Sequence, residues 1–353
     1  MSLKLSANSD DPYLGTILQM MELEFPGAVN GDKKVMFEAV VSELIGTKQQ
    51  RYGPMPDPEG LVEIRAVVRK AMDAGAPIPI LIPWGASKQG EGSVDIADVM
   101  ALKQLECLER RVCAHYKPGV DIRIRLENLT DESMFGDDWI PKTDLYVRDF
   151  QKLHKTLMFG GGSAIWREDF LMNSSDFRRA VATYSPIILE AMNRSSAVRG
   201  DWIRGHIPEW HGNLDDEILD FYLNAYDRFY PKETTTEKMI RLSKYFGGAI
   251  TRFILGGTGA DKTWGKDYLT LSFTGIPWGK NGKRIFYRTI PSRYTNQHRA
   301  PWIGKGYVRI KGREATPAIA GWDGDGLPFN PMFITFNWGG DSVEVAADYV
   351  VVE

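Results

Sequence analysis

The order of apolar and polar positions along the chain predicts a layered α/β protein. Residues 33–45 place Val35, Met36, Ala39, Val40, Leu44 and Ile45 at helical spacing. Asp57-Pro58 marks the next helix start, an acid at the N-cap followed by proline at the first helical position. Leu61, Ile64, Val67, Val68 and Met72 keep to one face of that helix, and Gly75 and Pro77 close it. The apolar run 78–83 has strand length and hands over abruptly to Trp84-Gly85-Ala86-Ser87-Lys88. A long amphipathic helix is predicted over 96–116, with the stripe Val99, Leu102, Leu105, Leu108 and Val112. Asp95 is its N-cap, and Asp98 lies where a carboxylate favours the helix dipole. Lys117-Pro118-Gly119 ends this helix, and 121–126 alternates strictly, as a half-buried strand does, up to Glu127-Asn128.

Residues 146–157 form a further amphipathic helix, broken by Gly160-Gly161-Gly162. From 166 to 257 the pattern is mostly helical, including 216–230 and 236–255. From 268 onward it changes to short strands between glycine-rich turns, at 268–273, 284–287, 306–310, 332–336 and 343–352. Helix–strand–helix–strand connections this short favour a parallel, doubly wound arrangement. The predicted fold is therefore α/β and Rossmann-like, with a mostly parallel sheet, a helical insertion and a β-rich C-terminal part. Its divisions are a loosely held arm with one short helix at 1–30, an α/β core at 31–165, the insertion at 166–262, and a part at 263–353 that completes the core.

Composition narrows the function classes. A length of 353 residues suits one elaborated domain or two intimately packed ones. A net charge of −3 argues against a general polyanion-binding surface and leaves local basic patches open. Cys107 and Cys113 fall on opposite faces of one helix, which predicts free thiols and a reducing, cytoplasmic setting. No signal peptide or membrane-spanning run is evident, so no membrane partner is expected. Ten tryptophans are enough that some are expected to line a pocket for a flat or apolar group, the rest being core.

Candidate chemistry gathers where predicted strands end, because the loops there splay into a crevice. A lysine such as Lys88 can become a nucleophilic amine there when burial lowers its pKa; from that stretch alone, a solvated loop lysine is the simpler account. Gly256-Gly257-Thr258-Gly259-Ala260-Asp261-Lys262-Thr263 has an acid where a phosphate-binding loop needs glycine, and reads as a helix cap and turn. His206, Glu209 and His211 are spaced closely enough for a metal, but Pro208 spoils the helical face and no other ligand cluster accompanies them. Asp323-Gly324-Asp325-Gly326 lacks the further ligands of a calcium loop. No metal and no cofactor is expected. The basic run Arg284, Arg288, Arg293, Arg299, Lys305, Arg309, Lys311 and Arg313, interleaved with Tyr287, Tyr294, Trp302 and Tyr307, suits either a phosphate plus a flat group or the solvated face of a sheet.

The order of these motifs resembles the isocyanide synthase family, also described as the pyoverdine/dityrosine biosynthesis family. Its members carry a strand leading into Pro-x-x-Pro-x-Lys, an acidic helix start, a long helix ending in Tyr-x-Pro-Gly, and a strand ending in an acid. Here these positions read Pro83 to Lys88, Asp95-Ile-Ala-Asp98, Tyr116-Lys-Pro118-Gly119 and Ile122 to Glu127. The match spans 58–157 and, more loosely, 284–326. The motif's second proline is Ala86, and two family histidines are replaced by Ser292 and Ile319. The resemblance implies condensation of an amino acid's amine with the carbonyl of a pentulose phosphate, leaving an isocyanide carbon on nitrogen. It implies Lys88, Glu127 and Asp98 as catalytic groups, with Asp95, Ser87, Trp84, Arg288, Arg293 and Lys305 contacting a small-molecule amine and a phosphorylated sugar. Two other functions fit the same residues: a transferase joining an amino acid or amine to a nucleotide or nucleic acid, and a nucleic-acid-binding protein without catalysis.

Overall fold

A computed structural model describes residues 4–7, 11–21, 32–46, 50, 55–86, 93–158, 163–210, 214–229, 232–256, 263–265, 267–273, 284–287, 304–320, 326–338 and 340–352. In chain order the N-terminal half comprises β1 (Lys4–Ala7), α1 (Leu14–Met20), α2 (Lys33–Ile45), α3 (Pro58–Asp73), β2 (Ile78–Trp84), α4 (Ile96–His115), β3 (Val120–Leu126), α5 (Asn128–Phe135), α6 (Ile140–Leu157) and β4 (Ser163–Arg167). There follow α7 (Glu168–Leu171), α8 (Ser174–Met192), α9 (Ser196–His206), α10 (Asp216–Phe229) and α11 (Thr235–Gly256). The C-terminal strands are β5 (Leu269–Ser272), β6 (Arg284–Phe286), β7 (Gly306–Lys311), β8 (Glu314–Ile319), β9 (Phe333–Trp338), β10 (Asp341–Ala346) and β11 (Tyr349–Val351).

Five strands in the order β4-β3-β2-β5-β6 form an all-parallel sheet, as an α/β, Rossmann-like fold requires. The order turns back at β2, so the crevice expected of such sheets lies beyond the carboxyl ends of its strands. Side chains alternate across a strand, and the two faces differ sharply. Ile80, Ile82, Trp84, Ile122, Ile124, Leu126, Leu269 and Leu271 go to one face and join α4 and α6 in the main apolar core. Strand register puts Arg123, Arg125, Trp166, Thr270 and Arg284 on the other. Above that second face stands a helical layer with its own core, including Leu242, Phe246, Ile203 and Trp210. Its longest helix, α11, packs on α5 and α8. The remaining strands make two small sheets, β1-β9-β10 and β11-β7-β8.

Several differences from the sequence pattern have local causes. The N-terminal arm contributes β1, paired antiparallel with β9. β8 carries Pro317, which a strand tolerates at an edge, and β8 is an edge strand. The predicted strand 343–352 is two strands in different sheets, separated at Ala347-Asp348, where the Asp348 carboxylate accepts from the Met332 N–H at 3.0 Å. α6 begins at Ile140, not 146, started by a proline in its first turn. Both cysteines are free, Cys107 buried and Cys113 exposed. Among the described residues no helix is long and apolar enough to cross a membrane.

One join between the large sheet and the small ones is made by Asp95. Its carboxylate caps α4 by accepting from the Ala97 N–H at 2.9 Å, and also accepts from the Gly306 N–H at 2.6 Å. A Cβ on residue 306 would stand 2.3 Å from Asp95 Oδ1 and 2.7 Å from the Ala97 nitrogen. Gly306→Ala is therefore expected to destabilise the fold by about 1–3 kcal/mol. Urea denaturation checks this, and a loss near zero would mean that β7 can shift away from α4 freely.

Candidate active site

The polar face of the sheet ends in a buried ionic cluster. β3 turns directly into α5 at Glu127, whose N–H donates to the Trp84 carbonyl at 2.8 Å and so ties the ends of β2 and β3 together. Glu127 Oε1 accepts from Arg125 Nη2 at 2.8 Å and from Arg252 Nη1, which reaches down from α11. The Nε of Arg252 lies 3.2 Å from Glu168 Oε1. Glu168 occupies on β4 the position that Glu127 occupies on β3, one residue beyond the strand. One guanidinium thus bridges two carboxylates at neighbouring strand ends.

α5 binds these ends together. Glu168 accepts from the Thr130 N–H at 3.0 Å in the first turn of α5, and the Glu168 N–H donates to Asn128 Oδ1 at 3.1 Å. Asp131 accepts from the Ala86 N–H at 2.5 Å, fixing the backbone just past β2. A short helix that continues directly from β3, and whose polar side chains reach the ends of β2 and β4, holds these strand ends in one geometry. Such fixed dipoles and charges are what a pre-organised reaction centre requires.

The electrostatics separate the two carboxylates. Burial pushes the Glu127 carboxyl up, but the guanidinium groups of Arg252 and Arg125 outweigh it and hold the group below the usual carboxylate range. Glu168, fully buried, is pushed up by desolvation; Arg252 opposes this, while the charge of Glu127 adds to it. Two acids whose environments drive their pKa values apart are the arrangement that assigns one to stay ionised and the other to carry a proton. Burial, with the charge of Glu127 adding to it, raises Tyr245 to about 12, which keeps that phenol protonated. Arg284 is lowered by burial first, with Arg125 adding to it.

Of the residues that the sequence singles out, Glu127 and Arg284, the first of the basic run, belong to this cluster among the described residues. Ser87, Lys88, Arg288 and Arg293 lie outside the described residues, as do His211 and most of the two glycine-rich motifs at 256–263 and 323–326. Trp84, Asp95 and Asp98 sit on the other side of the sheet. Trp84 is fully buried against Phe150 and Phe273, and its Nε1–H donates to the Tyr146 hydroxyl at 2.9 Å. That hydroxyl donates to Asp98 Oδ1 at 2.7 Å, and Asp98 Oδ2 accepts from the Asp95 N–H at 3.0 Å. The reciprocal capping box predicted for α4 is thus present. Trp84 is a core side chain here. Lys305 stands at the start of β7, paired with Asp348 at 2.6 Å and lying over the Phe329 ring. Tyr287 and Tyr307, the described aromatics of the basic run, are buried rather than presented for stacking. Among the described residues no group of three metal-ligating side chains occurs.

Arg125, Arg252, Glu168 and Arg284 complete the cluster; Arg284 opens the basic run that the sequence offers for a phosphate, whereas Arg125, Arg252 and Glu168 carry no site role in the sequence reading. The one available signal was Arg125, an arginine at an alternating position immediately before the acid that ends β3.

No family model matches the chain, and none of the curated proteins does. Among solved structures it is similar to the PvcA protein from Pseudomonas aeruginosa, with a TM-score of 0.56 and 15% sequence identity over 89% of this chain and 99% of that one. A second similarity, to tyrosyl-tRNA synthetase from Leishmania major, has a TM-score of 0.30 and 8% identity, covers 74% of this chain and 31% of that one, and carries no argument. The first likeness extends over most of both chains, and what it shows is a shared fold.

Proposed function

We propose that the chain, which has the fold of PvcA, is a biosynthetic enzyme that condenses an amine with a sugar phosphate in the manner of the isocyanide synthases. The observation that carries this reading is the buried Glu127–Arg252–Glu168 bridge at the carboxyl ends of β3 and β4, where an α/β sheet offers its ligand crevice. A structural ion pair at the surface would not need three charges withdrawn from water, and withdrawing them is costly.

In this reading Glu127 stays ionised and faces the cationic amine or iminium, while Glu168 is the acid tuned to give and take a proton. As the amine nitrogen attacks the carbonyl carbon, the departing oxygen needs a proton to leave as water, and a carboxyl group whose pKa burial pushes up suits that step. Lys88 is the candidate for a covalent or electrostatic centre, two residues past the Ala86 backbone that Asp131 holds. Asp95 and Asp98 act at a distance, by fixing the start of α4.

Incubation of the protein with amino acids and a pentulose phosphate, followed by mass spectrometry, is expected to reveal a product retaining the amine nitrogen. Borohydride should trap the sugar on Lys88. Glu127→Gln should lower turnover by roughly 10²–10⁴-fold with the fold intact. Absence of any product across the amino acids, with the protein folded, would remove the condensation reading.

A further inference from the structure

Arg125 is the least satisfied charge in the cluster. It is 4% exposed, and one of its three nitrogens, Nη2, has a partner in Glu127. Nε and Nη1 are shut off from solvent and have no hydrogen-bond partner among the described residues. Buried donors are nearly always paired, and a charged group left with open donors is the costlier exception. The nearby acids are already engaged, since Glu127 is shared with Arg252 and Glu168 faces Arg252 and Thr130. Arg284, partly buried, adds a third guanidinium from β6, near enough that Arg125 disfavours its charge. Positive charge and open donors therefore converge on the polar face of the sheet.

We propose that Arg125, reinforced by Arg284, is the receptor for a compact oxyanion, the carboxylate or phosphate group of a substrate, held between β3 and α11. This deepens the reading of the cluster as a reaction centre and rests on it. Nε and Nη1 lie on different edges of the guanidinium plane, so each takes a separate oxygen, from the anion or from water that accompanies it. Because both nitrogens are sealed, the anion enters as α11 and the sheet part locally, and binding stabilises the folded protein by mass action.

The full chain is titrated separately with inorganic phosphate and with sodium acetate at constant ionic strength, and thermal unfolding is followed. At least one anion should raise the Tm in step with the logarithm of its concentration above Kd, by roughly 3–5 °C at a hundredfold excess over Kd. A response to phosphate alone assigns the site to a phosphate group, and a response to acetate alone to a carboxylate. Arg125→Met should abolish the response while unfolding, without anion, at a Tm equal to or above that of the parent, because it removes a buried charge with two unsatisfied donors and leaves Glu127 its partner Arg252. Arg284→Gln should weaken the response about tenfold or more in Kd. The proposal is overturned if neither anion acts on the parent, if Arg125→Met keeps the response, or if that variant is strongly destabilised. Anion binding without any condensation product would sink the reaction and spare this site. Product formation with an Arg125→Met KM equal to the parent's would do the reverse.

Discussion

Arg252→Met is expected to destabilise the folded protein by about 3–5 kcal/mol, the range for stripping one partner from a buried ionic group. The guanidinium is 7% exposed and stands between Glu127 and Glu168. Its removal leaves Glu168, wholly buried, with only the Thr130 N–H and hydroxyl facing its oxygens among the described residues. Both carboxyl groups then rise in pKa, so the defect should be largest near neutral pH and should shrink as acid protonates them. The double variant Arg252→Met/Glu168→Gln, which removes the stranded charge as well, should recover part of the loss. Guanidinium denaturation of the three proteins at pH 7 and pH 5 measures this. A cost under ~1 kcal/mol, or one that grows in acid, would mean that the bridge is not what holds the ends of β3 and β4 together. The contrast with Arg125→Met is informative, because the two arginines share one acid yet are expected to move stability in different directions.

The difference between those two arginines also marks where the sequence stops being legible. Helices and strands with a clean period are readable: Asp57-Pro58 starts α3, Asp95 caps α4 with Asp98 returning the hydrogen bond, and 78–83 lies within β2. Periodicity works there because burial on one face is decided by the element's immediate neighbours in the chain. α5 defeats it. No element is expected over 128–135, yet all but one of these residues are buried in α5, their polar groups meeting strand ends that the sequence does not bring near. Arg125 is misread for a related reason. Strict alternation in β3 assigns Arg123 and Arg125 to a solvated face, and only the helical layer, supplied by residues more than a hundred positions later, turns that face into an interior. The acids at the helix start are legible but serve α4, and the acid at the strand end is legible while its partners are not. A site assembled by tertiary contacts leaves in the sequence only those members that also obey a local rule.

Lowering the pH from 6.5 to 4 should cost the native protein about 3 kcal/mol through His154 alone. The imidazole lies near the end of α6, 8% exposed, with Nε2 2.9 Å from the hydroxyl of Ser163, the first residue of β4. Burial lowers its pKa from 6.5 to about 4, so the folded protein keeps it neutral where the unfolded chain would already protonate it. Between those two values the unfolded state binds more protons, and stability therefore rises with pH. The full contribution is present above 6.5, is lost progressively as the pH falls, and is absent below about 4; at 1.36 kcal/mol per pKa unit the interval amounts to about 3 kcal/mol. His154→Gln, which keeps a polar group opposite Ser163 and cannot ionise, should flatten the curve over that interval. Taking the difference between the two proteins cancels the carboxylates, including Glu168, whose raised pKa works in the opposite sense by relieving its burial cost in acid. Urea denaturation at half-unit steps of pH provides the comparison, and parallel curves for parent and variant would remove His154 as the cause.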